Sequence, residues 1–331
     1  MKVKVAVVGL GKMGLLHASI LNVLDDVKLA AVCEKSPLIR RFSKRIIPGI
    51  AVVADVKELS GAGLDAVYVT TPAPSHFPIT KAIYTGGIAQ NVFVEKPLAS
   101  SYIEAEELCN LAISQSSITM VGYNRRFSVT FRKAKQILDE GVLGKPYFFE
   151  WYAYSSDFLG GKAESKTTSR GGILSDLGCH VVDLALWFFG QLEVESAEVE
   201  SLIDAYSEDS VYFSVSTLGG LKGEFRCSWC KENYRMPDIG LVVKASNGTL
   251  KVDEDKVELK LIDGSSLLWY KHDLGDAVPF FIGGTDYLRE DKFFISSIID
   301  GCNAEPSFYT ASKVEEVIDQ VKKSGTGCRA R

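Results

Sequence analysis

Short apolar runs alternate with helical patterns through the first third of the chain. Six runs predict strands: Val3 to Val8, Lys28 to Cys33, Ala51 to Ala54, Asp65 to Thr71, Asn91 to Val94 and Ile118 to Val121. A helix starts between most of these runs, and Ser101 with Glu104 forms a capping box for one of them. Strands that alternate with helices in this way form a doubly wound parallel sheet. We therefore predict an α/β domain over residues 1–122.

The pattern changes beyond residue 122, where runs such as PYFFEWYAY, SVYFSVSTL and KVELKLI alternate between two faces. Turn residues separate several of them, as at Asn247-Gly248 and Asp263-Gly264. This predicts a large, open, mostly antiparallel sheet over residues 146–270. Helical patterns cover about Arg132 to Glu140, Ile173 to Phe189, Thr285 to Ile299 and Thr310 to Lys323. We expect residues 123–331 to form an α+β domain for substrate binding and oligomerisation.

Composition narrows the class of protein. A chain of 331 residues with 46% hydrophobic residues supports two cores. The net charge of −5 comes from interspersed charges, so nothing favours a nucleic acid or a membrane surface as partner. No secretory leader and no long apolar span is evident, and the seven cysteines do not suggest a disulfide framework. The pair Cys227 and Cys230 lies on a predicted strand, which argues against a shared metal ion. We expect a cytoplasmic protein that acts on small molecules.

The first strand is followed at once by a glycine-rich loop, GLGKMG, and then by a helix. In this context Gly9 permits a tight turn, Gly11 lets the backbone approach a pyrophosphate, and Gly14 lets the helix lie close to the strand. The backbone of Lys12 and Met13 begins that helix and offers unpaired N–H groups to the phosphates. This predicts a Rossmann domain that binds a dinucleotide. His17, further along the helix, is expected to be an ordinary packed or partly exposed residue.

The end of the second predicted strand indicates which dinucleotide is bound. Glu34 lies 20 residues after Gly14, where a carboxylate binds the adenosine ribose hydroxyls and repels a 2′-phosphate. NAD is therefore favoured. Lys35, Arg40 and Arg41 keep NADP as the alternative, because a cation beside the ribose accommodates that phosphate.

The residues that follow the next strands should line one crevice, since ligands of open α/β sheets lie at the carboxyl ends of the strands. For cofactor binding we select from them Thr70, Thr71, Pro72, Ser75, His76, Glu95, Lys96 and Asn124. Lys96 ends a central strand, where nicotinamide and substrate must meet. Its burial would lower its pKa and Glu95 would raise it, so the sequence leaves its protonation state open.

A second group of polar residues occurs on a predicted helix in the other domain. Asp176, His180 and Asp183 are spaced four and three residues apart and can share one face. An imidazole accepts a proton from a hydroxyl group near neutral pH, and a neighbouring carboxylate orients it. We interpret Asp183 as a structural support. A metal site is not predicted, because hydride transfer to nicotinamide requires no metal.

Five motifs resemble the Gfo/Idh/MocA oxidoreductases: GLGKMG, TPAPSH, VEKPLA, GYNRRF and DLGCHVVDLALWFFG. The resemblance implies that Lys96, Asp176 and His180 are the catalytic residues, with Lys96 orienting the reacting hydroxyl. It also implies that Tyr123 and Arg126 lie in a functional motif. Tyr154, Asp157 and Arg170, near the predicted helix of Asp176, are further candidates for substrate binding, together with Lys96, Asp176 and His180. The chain departs from the family where three glycines are usual, since it has Arg170-Gly171-Gly172.

These observations predict an NAD(P)-dependent oxidoreductase that transfers a hydride between nicotinamide and a secondary alcohol or ketone of a sugar, inositol or related polyol. One alternative is a regulatory protein that senses a dinucleotide or sugar without catalysis. Another is a family enzyme with a different substrate, such as an imine or a bilin, or a lyase or hydrolase that recycles bound NAD. An exposed apolar face of the open sheet, and the resemblance itself, predict a homodimer or homotetramer.

Overall fold

The computed structural model describes residues 2–47, 49–156, 171–203, 207–280 and 283–325. The chain forms two compact units. The first comprises Met1–Asn124 and Val278–Glu315, and the second comprises Arg125–Ala277 and Glu316–Arg331. The first boundary lies two residues beyond the one predicted at residue 122.

The first unit contains a six-stranded sheet in which every neighbouring pair is parallel, as predicted. Its strands are β1 (Val3–Val8), β2 (Val27–Cys33), β3 (Ala51–Val53), β4 (Ala66–Val69), β5 (Asn91–Val94) and β6 (Thr119–Val121). The order across the sheet is β3-β2-β1-β4-β5-β6, the doubly wound arrangement. The carboxyl ends of β1, β4 and β5 therefore lie side by side at one edge.

Helices connect these strands and bury their apolar sides. They are α1 (Lys12–Val23), α2 (Pro37–Ile46), α3 (His76–Thr85) and α4 (Tyr102–Ser114). Half of the capping box predicted for α4 is present: the Ser101 hydroxyl accepts the N–H of Glu104 at 3.3 Å, but the Glu104 carboxylate accepts the N–H of Ser100, at 3.1 Å, rather than that of Ser101. After β3, residues Val56–Leu59 form a single 3-10 turn that is capped by Asp55 and Glu58.

One helix of the first unit comes from late in the chain. α7 (Thr285–Asp300) packs against α1 and β1. Residues 278–315 therefore belong to the first unit, whereas the sequence predicts that they lie in the second domain. The cause is α7's buried face, which carries Leu288, Phe294 and Ile295 together with acidic residues. Helical periodicity predicts such a face but not the surface against which it packs.

The second unit contains an eight-stranded open sheet between residues 146 and 270, as predicted. Its strands are β7 (Pro146–Tyr154), β8 (Leu192–Glu200), β9 (Ser210–Thr217), β10 (Lys222–Ser228), β11 (Asp238–Ala245), β12 (Gly248–Val252), β13 (Lys256–Leu261) and β14 (Ser266–Tyr270). The order is β14-β13-β12-β11-β7-β10-β9-β8. β7 and β10 are parallel and every other neighbouring pair is antiparallel.

The two faces of this sheet differ because side chains alternate along each strand. Phe149, Trp151 and Phe225 are fully buried on one face, which is covered in part by α6 (Cys179–Phe189). α5 (Val129–Asp139) packs on β12 and β13, and α8 (Phe308–Ser324) begins in the first unit and ends in the second. In the ranges that the structure describes, no helix has both the length and the apolar character needed to cross a bilayer.

Candidate active site

The glycine loop packs closely against the residues that follow β4, the strand next to β1 in the sheet. Gly9 has a φ of +93°, and a Cβ on Gly14 would lie 1.8 Å from the carbonyl oxygen of Gly9. The Thr70 hydroxyl also donates a hydrogen bond to that oxygen, at 2.8 Å. Any side chain at Gly14 would therefore push α1 away from the loop. Two of the predicted glycine roles, a tight turn and a close helix, are visible in this geometry.

Gly11 faces open space, because a Cβ built there would meet no atom of the described residues within 4 Å. It is the N-cap of α1, and none of the described side chains caps the first turn of the helix. The N–H groups of that turn, from Lys12 and Met13 onward, lack helical partners and carry the positive end of the helix dipole. The loop has the donors and the space that a pyrophosphate requires, so these residues fit a dinucleotide.

Glu34 follows β2 and is half-buried. Its Oε2 accepts the Leu10 N–H at 2.8 Å, and its Oε1 accepts the Ser36 N–H at 2.8 Å. The carboxylate therefore joins the glycine loop to the end of β2, where the adenosine ribose is expected. The Arg40 guanidinium turns back to the carbonyl oxygens of Glu34 and Lys35, at 2.7 and 2.6 Å, which places a cation at the same strand end.

The loop after β4 is organised by its own hydroxyl groups. The Ser75 hydroxyl donates to Thr71 Oγ1 at 2.8 Å and to the Pro72 carbonyl oxygen at 2.6 Å. Thr71 also lies against Gly9, because a Cβ at Gly9 would come within 2.6 Å of its methyl carbon. The structure thus brings Thr70, Thr71 and Ser75 together with the glycine loop.

His76 links the loops that follow β4 and β5. One ring nitrogen lies 2.7 Å from the Pro97 carbonyl oxygen and the other 2.7 Å from that of Thr71. Burial lowers the pKa of His76, although both carbonyl groups and Glu95 favour its protonated form. Both nitrogens face the backbone, so the cofactor contact predicted for His76 would have to come from ring carbons.

Lys96 follows β5 directly and is half-buried, next to the end of β4 in the sheet. Glu95 is buried, and its Oε2 accepts the backbone N–H of Lys96 at 3.0 Å. Its other oxygen lies 3.0 Å from Nε2 of His17. The carboxylate predicted to contact the cofactor therefore points into the interior of the first unit.

In the second unit, Asp176 lies in a π-helical turn, Leu174–Gly178, that runs directly into α6. Such turns widen a helix by one residue and are common at functional sites. The sequence predicts one regular helix here, and the inserted turn is the difference. Asp176 is half-buried and its N–H donates to the Gly172 carbonyl oxygen at 3.1 Å, whereas His180 is buried in the first turn of α6.

Asp183, one helical turn beyond His180, binds Arg126. The guanidinium donates from Nε to Oδ2 at 2.8 Å and from Nη2 to Oδ1 at 2.7 Å, and the pair is almost completely buried. The guanidinium carbon also lies 5.7 Å from the centre of the Trp187 ring. This contact agrees with the interpretation of Asp183 as a structural support, and it holds Arg126 by protein groups.

The remaining candidates are distributed differently. Tyr154 lies on the face of the sheet opposite to Phe149 and Trp151, which α6 covers, so the structure does not bring it to His180. Its ring stacks on Tyr152 at 5.1 Å. Tyr123 and Asn124 are buried just after β6. Asp157 and Arg170 lie outside the described residues.

Sequence reasoning missed a buried group beside Lys96. His17 is packed, as expected, but it also lies between the carboxylates of Glu95 and Asp291. Asp291 is 274 residues away along the chain, so no local pattern reveals this pairing. The only available signal was a polar residue on the apolar side of α1, among Ala18, Ile20 and Leu21.

The first unit is a dinucleotide-binding Rossmann domain by its fold, its glycine loop and its carboxylate after β2. Comparison with known proteins agrees. Residues 3–123 match an oxidoreductase family with an NAD-binding Rossmann fold, and residues 131–251 match the GFO/IDH/MocA C-terminal domain. The chain belongs to the GFO/IDH/MocA oxidoreductase family, as its motifs indicate.

Several relatives have assigned names. The chain is 29% identical over 201 residues to scyllo-inositol 2-dehydrogenase (NADP(+)) of Bacillus subtilis strain 168, covering 60% of this chain and 54% of that protein. It is 28% identical over 204 residues to myo-inositol 2-dehydrogenase of Thermotoga maritima, covering 61% and 59%. The chain thus spans little more than half the length of these two relatives. An inositol 2-dehydrogenase of Rhizobium meliloti is 28% identical over 93% of this chain and 92% of its own.

Solved structures share the fold at lower identity. Levoglucosan dehydrogenase in complex with NADH and levoglucosan matches with a TM-score of 0.88 and 18% identity, covering 98% of this chain and 97% of that one. An NAD-binding oxidoreductase from Klebsiella pneumoniae matches with a TM-score of 0.86 and 20% identity, covering 99% and 98%. At this level of identity the likeness shows the fold.

Proposed function

We propose that the protein is an NAD(P)-dependent dehydrogenase that interconverts a secondary alcohol and a ketone of a sugar, inositol or related polyol. One observation carries the proposal: Lys96 follows β5 at the same edge of the sheet where the glycine loop follows β1. This edge is where a dinucleotide lies in such sheets. The inositol dehydrogenases among the relatives support the substrate class.

The nicotinamide ring, when bound, supplies the carbon that accepts or donates the hydride. Gly11 and the first turn of α1 would hold the pyrophosphate, and Glu34 would hold the ribose. In the direction of oxidation, Lys96 donates a hydrogen bond to the reacting oxygen and orients it. His180 accepts the hydroxyl proton, and Asp176 orients the substrate and the imidazole. The products are the ketone, the reduced cofactor and a proton.

A structure with NAD and a bound polyol tests the roles of Lys96 and His180 directly. The Arg126 guanidinium, which is bound by Asp183, would act by holding α6 rather than by binding the substrate.

A substrate panel tests the activity. The protein is mixed with NAD or NADP and with myo-inositol, scyllo-inositol, D-glucose, D-apiose or levoglucosan, and formation of the reduced cofactor is followed by absorbance. We expect turnover with at least one of these, faster with NAD than with NADP. Conversion of a sugar without net formation of reduced cofactor would instead indicate internal recycling of NAD.

Two variants test the assigned roles. Lys96→Met and His180→Asn should each reduce kcat by about 100-fold or more, since positioned proton transfer contributes that much. Lys133→Met, which removes an ammonium that lies over the Trp269 ring in the second unit, is the matched control and should leave kcat unchanged. Full turnover by both site variants would refute the assignment.

The proposal includes a homo-oligomer formed through the open face of the sheet. That face carries Phe148, Tyr152 and Tyr212 together with the Arg226–Glu150 ion pair, so it is aromatic and charged rather than purely apolar. Such mixed surfaces are typical of interfaces between folded proteins. Light scattering at micromolar concentration distinguishes a dimer or tetramer from a monomer.

The seven scattered cysteines support a reducing compartment, so the cytoplasm is our proposed location for the protein.

A further inference from the structure

A buried hydrogen-bonded chain lies directly behind Lys96 in the first unit. Nδ1 of His17 lies 2.8 Å from Oδ1 of Asp291, and Nε2 lies 3.0 Å from Oε1 of Glu95. His17 and Asp291 have no exposed surface, and the Glu95 side chain is 8% exposed. A neutral imidazole has one N–H and can donate to only one of these carboxylates, whereas an imidazolium donates to both. The geometry therefore fits a protonated His17.

The charges around His17 favour the same state. Burial alone would lower the pKa of His17, but the carboxylates of Asp291 and Glu95 raise it well above its usual value. Burial would raise the pKa of Glu95, but the hydrogen bond and charge of His17, and the charge of Lys96, lower it overall. At neutral pH the first unit thus holds a cationic His17 against an anionic Glu95.

Glu95 connects this pair to Lys96. Its Oε2 accepts the Lys96 N–H at 3.0 Å, and the attraction that lowers the pKa of Glu95 also favours the ammonium form of Lys96. The carboxylate has little room to turn, because Gly122 packs so closely that a Cβ there would lie 3.1 Å from Oε2. The position of Glu95 therefore affects the backbone of Lys96, and its charge affects the protonation of the Lys96 side chain.

We propose that His17 is a positioning residue for Lys96. Asp291 on α7 holds the imidazolium, the imidazolium keeps Glu95 ionised and in place, and Glu95 fixes the backbone of Lys96 and stabilises its ammonium. The consequence for catalysis rests on the role proposed above for Lys96. Among the described residues, the other titratable groups around this chain are Tyr68 from β4, His76 from α3, and Glu290 and Asp286 from α7. All four stay unchanged in the variants that test this proposal.

Replacing His17 with glutamine removes the cation but keeps a side chain that can donate a hydrogen bond. The buried Glu95 then takes up a proton. Lys96 thus loses a negative neighbour as well as the positive charge of His17, and the loss of the Glu95 charge dominates, because Glu95 adjoins Lys96 and hydrogen-bonds its N–H. We expect the titration midpoint of Lys96 to fall by about one pH unit, the size of effect that an opposite charge at close range has. Asp291→Asn removes the carboxylate that binds Nδ1 of His17 and so makes the imidazolium less stable. It should lower the titration midpoint of Lys96 as well, by a smaller amount.

Competitive acetylation measures this midpoint without any substrate. The protein is labelled with trace acetic anhydride across a pH series, and mass spectrometry of peptides gives the reactivity of each lysine. Glu95→Gln should lower the Lys96 midpoint as His17→Gln does, and the double variant should add nothing further, because both act through one carboxylate. An unchanged Lys96 midpoint in the single variants, or additive shifts in the double variant, would overturn the proposal.

Asn91→Ala is the matched control for a loss of stability. Asn91 begins β5, the strand that Lys96 follows, and its side chain binds the Asp65 carbonyl oxygen at 2.9 Å and the Ile118 N–H at 3.0 Å. This variant should destabilise the same strand without moving the Lys96 midpoint. An equal shift in Asn91→Ala would mean that His17 acts only through stability.

Kinetics on a substrate from the panel complete the test. His17→Gln should lower kcat about ten-fold and move its pH profile to lower pH, with the NADH dissociation constant changed by less than about two-fold. If the panel yields no substrate, the proposed function fails while the acetylation result still decides the role of His17.

Discussion

The guanidinium of Arg126 and the carboxylate of Asp183 lie side by side, joined by two hydrogen bonds of 2.8 and 2.7 Å in the interior of the second unit. The pair connects the segment that follows β6 to α6, which carries His180. An arginine is suited to this contact because its planar group matches both carboxylate oxygens.

Asp183→Asn should destabilise the protein by about 3–5 kcal/mol, because a guanidinium would be left buried without its counter-charge. Urea unfolding followed by circular dichroism measures the loss. Asp319→Asn is the control, since its ion pair with Lys323 lies on the exposed surface of α8 and should contribute less than about 1 kcal/mol. Equal losses in the two variants would show that burial of the Arg126 pair is unimportant.

Gly11→Ala should weaken cofactor binding without a loss of stability, whereas Gly14→Ala should destabilise the fold. Gly11 has a φ of −67° and space around its Cβ position, so alanine should leave the melting temperature of the free protein unchanged. It should raise the NADH dissociation constant at least about ten-fold, because the methyl group would occupy the space of the pyrophosphate. Gly14→Ala places a methyl group on the Gly9 carbonyl oxygen and should cost about 3 kcal/mol of stability. Thermal melts and NADH fluorescence titrations separate the two. Tight NADH binding by Gly11→Ala would show that nothing passes close to Gly11.

Glu34→Gln should shift the cofactor preference toward NADP while keeping the shape of the side chain. The charge that repels a 2′-phosphate is lost, so the ratio of the NADPH to the NADH dissociation constant should fall on the order of ten-fold. Glu58→Gln is the control, because this carboxylate also lies near the end of β2, where it raises the pKa of Cys33 together with burial and Asp55. The same change in both variants would indicate a general field effect rather than contact with the ribose.

Glu290→Gln should stabilise the protein at neutral pH. Glu290 is fully buried, and among the described residues neither carboxyl oxygen has a hydrogen-bond partner. Burial and the nearby charges of Glu95, Asp291 and Asp286 raise the pKa of Glu290 well above its usual value, although the charge of His17 lowers it. The folded chain therefore keeps a proton that the unfolded chain releases above about pH 4.5, and this contribution to stability is lost as the pH rises toward the folded-state pKa.

Glutamine carries no proton to lose, so the gain should be absent near pH 4 and should grow as the pH rises from about 4.5 to 8. Urea unfolding across this range measures the difference. Glu193→Gln on the exposed part of β8 is the control and should show no such dependence. A gain that is the same at every pH would contradict protonation as the cause.

The sequence predicts the strands of the first unit to within two residues at each end, because a buried parallel strand must be apolar along its whole length. It also predicts the edge of the sheet where Gly9, Thr70 and Lys96 come together, since the βα alternation determines the direction of each strand. The large sheet was predictable from residue 146 to residue 270 for a similar reason, because alternating side chains require two different faces.

Long-range pairing was not predictable. Asp291 and Glu95 lie 274 and 78 residues from His17, and Asp183 lies 57 residues from Arg126, whereas periodicity carries information only within one element. The π turn before α6 was not predicted either, because the pattern over Ile173 to Phe189 was interpreted as one regular helix. Tyr154 was placed in the candidate site because of its position along the chain, whereas its face of the sheet is determined by the register of β7.

The return of residues 278–315 to the first unit has a consequence for how the protein is made. During synthesis the six parallel strands leave the ribosome early, but α7 and Asp291 follow only after the whole second sheet. Until then His17 has no partner on that side, and the apolar face of α1 that α7 covers is open to solvent. The nascent first unit therefore depends on late residues for its completion, and a truncated chain ending at Asn124 would share this deficiency permanently.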